Sequence, residues 1–122
     1  MRTIKSPQDF ERVFSRGKRY NHPLLRMVIQ TCLDEGDPGR VAFVAAKRLG
    51  TAVFRNRSKR MLRAAAYQCG FPLPGYDLIL FATKDTAAAH IDELSQALQK
   101  LVRRSGATAQ VNQCLNTNKE CW

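Results

Sequence analysis

Between Thr51 and Gln68 the chain sorts its basic and apolar residues onto different faces of a helix. With Arg55 at zero and about 100° per residue, Lys59, Arg63, Asn56 and Arg60 fall within roughly 140°, whereas Phe54, Met61, Ala65, Ser58, Cys69 and Leu62 gather at roughly 240–340°. Arg57 borders the apolar face from the other side. The stretch RLGTAVFRNRSKRMLR, Arg48 to Arg63, holds six basic residues and no acidic one. A solvated helix face ordinarily mixes signs and gains a few tenths of a kcal/mol from each i,i+4 ion pair. Here Arg55 and Lys59 lie four apart and repel, so an external polyanion explains the pattern better than solubility does.

The surrounding chain has the same bias. Twenty Lys and Arg against ten Asp and Glu give a net charge of +10, which attracts RNA, DNA or an anionic membrane. From Pro38 to Tyr76 there is no carboxylate, while Arg40, Lys47, Arg48, Arg55, Arg57, Lys59, Arg60 and Arg63 all fall in that window. No apolar run approaches the roughly 20 residues needed to cross a bilayer. The start, MRTIKSPQDFERVF, lacks an apolar signal region, so a cytoplasmic location is expected and no membrane partner.

A chain of 122 residues fits one modest core. Ser6-Pro7 reads as the N-cap and first position of a helix carrying Phe10, Val13 and Phe14 and ending at Gly17. Leu25–Leu33 and Arg40–Ala46, flanking the turn-forming DEGDPG, read as neighbouring antiparallel strands. After the basic helix, FPLPG breaks the chain, Tyr76–Ala82 reads as an apolar central strand, and Ile91–Arg103 as an amphipathic helix. The order helix-strand-strand-helix-strand-helix predicts a single-domain α/β sandwich, one sheet covered on part of one face by helices. Residues 1–106 form the expected domain, and 107–122 a flexible tail.

Nothing in the chain supplies a reactive centre of its own. Cys32, Cys69, Cys114 and Cys121 form no C-x-x-C pair, and His22 and His90 sit near none of them, so neither a metal nor a disulfide is expected. His22 and His90 read as local structure, and RLGTAV is no nucleotide phosphate loop, because no Gly-Lys-Ser/Thr follows its glycine. Binding is what the residues offer. Arginine forks suit phosphate, lysines supply mobile charge, and Asn56 can reach phosphate, sugar or base edges. Phe10 and Phe14, interleaved with Arg12, Arg16, Lys18 and Arg19, make the pairing that stacks a single strand and holds its backbone, although core packing of the first helix would also account for the two rings.

The segment FVAAKRLGTAVFRNRSKRMLR, Phe43 to Arg63, resembles the signature of the protein component of bacterial ribonuclease P. FERVFSRGKRY (Phe10–Tyr20), GYDLILFATK (Gly75–Lys84) and the closing helix extend the resemblance over about residues 4–104. It implies an α/β sandwich with a left-handed βαβ crossover, against the usual hand. It further implies that a catalytic RNA subunit performs the Mg2+-dependent removal of the 5′ leader from precursor tRNA, while the protein binds that RNA and the leader, carries no catalytic residue and holds no cofactor by itself. No obligate protein partner is evident. By position, Arg55, Asn56, Arg57, Lys59, Arg60 and Arg63 match the family's RNA-binding helix, Lys47 and Arg48 the basic pair before it, and Phe10 and Phe14 the aromatics of its leader cleft. Ala64, Val28 and Thr83 depart from the family pattern. The alternative is a ribosomal or other structured-RNA binding protein without associated catalysis; a DNA-binding regulator lacks a helix-turn-helix.

Overall fold

Helix α1 (Pro7–Arg16) starts where the Ser6 hydroxyl accepts the Gln8 amide at 3.2 Å, with Pro7 in the first turn. The computed structural model describes residues 3–31, 39–71 and 75–105. After α1 come strands β1 (Lys18–His22), β2 (Leu25–Thr31) and β3 (Arg40–Val44), a 3-10 turn (Lys47–Leu49), helix α2 (Ala52–Gln68), β4 (Tyr76–Ala82) and α3 (Ile91–Ser105). Thr51 caps α2 by accepting the Phe54 amide at 3.2 Å. At its other end Gly70, with φ +81°, lets the Phe71 amide reach back to the Ala66 carbonyl at 2.9 Å and buries Phe71.

The sheet has the order β1-β2-β4-β3. This corrects the expected pairing of β2 with β3, because β4 lies between them, antiparallel to β2 and parallel to β3. The run Asp77 through Leu80 is buried on both faces, the pattern of an interior strand, and an interior strand has its backbone groups paired along both edges. Helix α2 is the crossover that returns the chain parallel to β3. Strand β1, KRYNH, is an addition to the expected order; its polar composition gives little strand signal and suits an edge. It pairs with β2 through the tight turn at Pro23-Leu24.

The helices also lie on both faces of the sheet rather than one. Leu25, Met27, Ile29, Val41, Leu78 and Leu80 face α2 and α3, joining Leu62, Ala66, Leu94, Leu98 and Leu101 in the main core. Alternation along the strands sends Val28, Ala42 and Ile79 to the opposite face, where Val13 of α1 completes a smaller core. The expected boundaries of α2 and β4 agree with the structure to within a residue. Cys32, the FPLPG prolines and the expected tail from 107 onward lie outside the described residues.

Two features seat α1 on this second face. Asp77 is buried beneath it and accepts from Arg40 (Nη2 to Oδ2, 3.2 Å) and from Arg12 (3.4 Å), while Arg40 also reaches Asp9 at 2.9 Å. These two carboxylates hold the Arg40 guanidinium firmly protonated. At the other end of α1, a Cβ on Gly17 would stand 2.6 Å from the Val13 carbonyl and from Val28 Cγ1. The φ of Gly17, −71°, is ordinary, so space and not conformation demands glycine.

Gly17→Ala is therefore expected to lower stability by about 1–3 kcal/mol through overpacking, read as a shift in urea midpoint. Asp77→Asn should cost about 1.5–3 kcal/mol, the worth of charge-assisted hydrogen bonds, with the α2–α3 side of the amide spectrum left in place. A midpoint unchanged from wild type in either variant would contradict the corresponding contact.

Candidate nucleic-acid interface

Helix α1 is short, about 15 Å at 1.5 Å per residue, and it covers only part of the sheet. The ion pairs hold it toward the Asp77 end of β4, so the opposite end, where Arg26 of β2 pairs with Phe81 of β4, stays open. There a cleft of about 470 Å³ is lined by Phe14, Arg19, Asn21, Arg26, Arg48 and Phe81 among others. A second hollow of about 520 Å³ adjoins it at the end of the sheet, sharing Asn21, Arg26, Arg48 and Ala82 and adding Lys84 and Asp85. Together they form one trough with aromatic walls and cationic rims.

Phe10 and Phe14 stack at 6.3 Å between ring centroids, and Phe14 meets Phe81 edge-on at 5.8 Å. Both α1 rings are half-buried, packed against Val13, Val28, Ala42 and Ile79. The guanidinium of Arg19 lies over the Phe14 ring, 4.5 Å from its centroid, and donates to the Phe14 carbonyl at 3.4 Å. Arg16 is exposed in the last turn of α1.

Two residues expected beside these rings are placed elsewhere. Arg12 turns to Asp9 and Asp77, because a buried carboxylate requires cationic partners. Lys18 alternates with Arg19 along β1 and so shares the α2–α3 face with Tyr20 and His22. On that side burial, together with Lys100 and Arg104, lowers the His22 pKa. Arg26, Asn21, Phe81 and Lys84, which sequence reasoning missed, enter the trough instead. The signal for Arg26 was its place opposite Leu25 and Met27 in the period-two pattern of β2.

The basic helix presents a separate surface. Asn56, Arg60 and Arg63 are exposed, Lys59 is half-exposed, and with Val53 they line a shallow groove. Arg63 lies 5.5 Å from the centroid of the Phe43 ring. Arg57 is exposed, yet its Nε donates to the Ala87 carbonyl at 3.2 Å and ties α2 to the segment after β4. Arg55 is half-buried, with its Nε enclosed. Lys47 and Arg48 are exposed on the 3-10 turn, and Arg48 reaches the trough rather than the α2 groove. Ser58, on the inner face, donates to the Phe54 carbonyl at 3.0 Å. Cys69 is buried, which pushes its thiol up to about 11 and keeps it protonated and unreactive at neutral pH.

Comparison with known proteins identifies the family. The ribonuclease P family profile matches residues 1–106. The chain belongs to the ribonuclease P protein family. The ribonuclease P protein component of Herpetosiphon aurantiacus is 34% identical over 103 residues, spanning 84% of this chain and 82% of the relative. That of Gluconacetobacter diazotrophicus is 35% identical over 106 residues, spanning 84% and 90%. Among solved structures, the RNase P protein of Staphylococcus aureus superposes with a TM-score of 0.73 at 20% identity, over 88% of this chain and 97% of that one. The Thermotoga maritima RNase P protein gives 0.70 at 20% identity, over 85% and 97%. The α/β fold with a four-stranded sheet and three helices is thus the fold of bacterial ribonuclease P proteins.

Phe14→Leu should separate packing from stacking at the trough. It keeps most of the apolar volume, so the stability loss should stay below about 1.5 kcal/mol. Loss of the stacking face should weaken single-stranded RNA binding by about 1–3 kcal/mol, measured by titration with an unstructured oligonucleotide. Unchanged affinity would show that the ring serves packing alone.

Proposed function

We propose that this chain acts in ribonuclease P as the RNA-gripping subunit, assisting a catalytic RNA in removing the 5′ leader from precursor tRNA. The observation that carries the division of labour is the pair of distinct cationic surfaces, one a trough with aromatic walls and the other an open helix face. A stacked, single-stranded leader suits the trough, where Phe81 and the Arg19-covered ring of Phe14 offer aromatic and cation–π surface, and Arg26 and Arg48 offer charge to the backbone. A folded RNA suits α2, whose Asn56, Lys59, Arg60 and Arg63 project to solvent without an acidic neighbour on the helix.

Hydrolysis, and the Mg2+ it uses, we assign to the RNA. Among the described residues no group of three or more His, Cys, Asp or Glu could hold a metal ion. The buried carboxylate of Asp77 is engaged by Arg40 and Arg12. Among the described residues no helix is long and apolar enough to cross a membrane. A cytoplasmic location belongs to the same reading.

Lys59→Glu combined with Arg60→Glu should leave circular dichroism unchanged while weakening binding to the ribonuclease P RNA. The log–log salt dependence should also flatten by about 0.7–0.9 for every phosphate that the variant no longer neutralises. Cleavage of precursor tRNA at low magnesium should need protein and RNA together, with the double variant restoring activity only at higher protein concentration. If the wild-type mixture gains nothing over RNA alone, the chain is a structured-RNA binder without associated catalysis.

A further inference from the structure

Two large apolar side chains stand out of α2 into solvent: Val53 is 76% exposed and Tyr67 is 78% exposed. Scattered apolar groups on a surface need no explanation, but these two share one stripe. With Arg55 at zero, Tyr67 falls near 120° and Val53 near 160°, on either side of Arg60 near 140°. They bracket the cationic groove of Asn56, Lys59, Arg60 and Arg63, about 21 Å apart along the helix axis at 1.5 Å per residue.

The Tyr67 ring is left uncovered by its own helix. Side chains in a helix lean back toward the residues three and four before them, here Ala64 and Arg63. Ala64 contributes only a methyl group, and the Arg63 guanidinium is directed to the Phe43 ring. Among the described residues no aromatic ring or guanidinium stacks on Tyr67.

We infer that Tyr67 stacks on an unpaired base of the ribonuclease P RNA, adding a contact of non-electrostatic character to a face that otherwise holds phosphates. The inference rests on the proposal that α2 is the surface for that RNA. Charge decides the occupant. An apolar protein partner would have to bury Arg60 and Arg63 unpaired, at high desolvation cost, whereas RNA supplies phosphates for the cations and a π face for the ring. Bases that can be stacked in this way are unpaired ones in loops or bulges, so the C-terminal end of α2 meets a non-helical element of the RNA.

The test compares Tyr67→Ala, Tyr67→Phe and Arg60→Ala in binding to the ribonuclease P RNA of the same organism, without substrate, across a salt series. Tyr67→Ala should weaken binding about 5- to 150-fold, the range for loss of one base–aromatic stack, with the salt slope unchanged. Tyr67→Phe should bind like wild type. Arg60→Ala should instead flatten the slope by about 0.7–0.9. In a Trp122→Phe background, Tyr67→Trp should give indole fluorescence that is quenched when the RNA is added.

Normal affinity of Tyr67→Ala beside a flattened slope for Arg60→Ala would overturn the stacking inference and leave α2 as the RNA surface. Normal behaviour of both variants would remove the underlying reading as well. Weakening by Tyr67→Ala confined to precursor tRNA binding by the assembled particle would overturn the inference, as would concentration-dependent dimerisation that Tyr67→Ala abolishes without affecting RNA affinity.

Discussion

The seating of α1 at one end of the sheet is the constraint on which the molecule's candidate binding surface depends. Buried Asp77 draws Arg40 and Arg12 to itself, and Asp9 completes the cluster from the first turn of α1. At the opposite end of the helix, close contact at Gly17 brings the chain directly against β2. A ten-residue helix held at these points cannot also cover Arg26 and Phe81. The trough is therefore the part of the second sheet face that α1 leaves bare. Phe14 stands at the border, packed against the small core of Val13, Val28, Ala42 and Ile79, with the Arg19 guanidinium over its ring and part of its surface lining the cleft.

Charge is distributed by the same logic. The carboxylates that pair with guanidinium groups, Asp9 and Asp77, lie under α1 and away from α2. The helix that most needs neutralising charge has none of its own, and its basic residues repel one another across i,i+4 spacings. Such a face is stabilised when phosphate arrives and releases its counterions. Arg57 and Arg63 show that part of this charge is held by the fold, one by the Ala87 carbonyl and the other beside Phe43. The remaining projecting groups, Asn56, Lys59 and Arg60, need no rearrangement to meet a ligand.

How much of this was legible in the sequence follows from how local each feature is. Ser6-Pro7 and Thr51 mark helix starts by short-range capping chemistry, and the prolines of FPLPG cannot continue a helix, so α1 and α2 could be bounded from sequence. The apolar run Tyr76–Ala82 marked β4 and its central place. Pairing partners are long-range, and neither β2 nor β3 carries a residue that states which neighbour it will have. β1 was hidden because KRYNH owes its strand state to pairing with β2 rather than to its own propensity. The helix α2 face was readable from the wheel. The trough was readable only in part, because Arg26 and Phe81 become neighbours through a strand pairing that periodicity cannot supply. For the same reason Arg12 looked free until Asp77, distant in sequence, was placed beneath it.

Arg48 joins the two surfaces. It lines both hollows of the trough, yet only Leu49, Gly50 and Thr51 separate it from the first residue of α2. β3 is paired in the sheet to Val44, and the 3-10 turn closes through the Leu49 amide to the Ala46 carbonyl at 3.0 Å, so little slack separates sheet, Arg48 and helix. Arg57 fastens α2 again at Ala87, beyond the end of β4. On the proposed reading, a strand in the trough and an RNA on α2 would be referred to one frame of sheet, turn and helix. Only a few residues of backbone separate the two surfaces, a geometry that would hold a leader close to a catalytic RNA bound on α2.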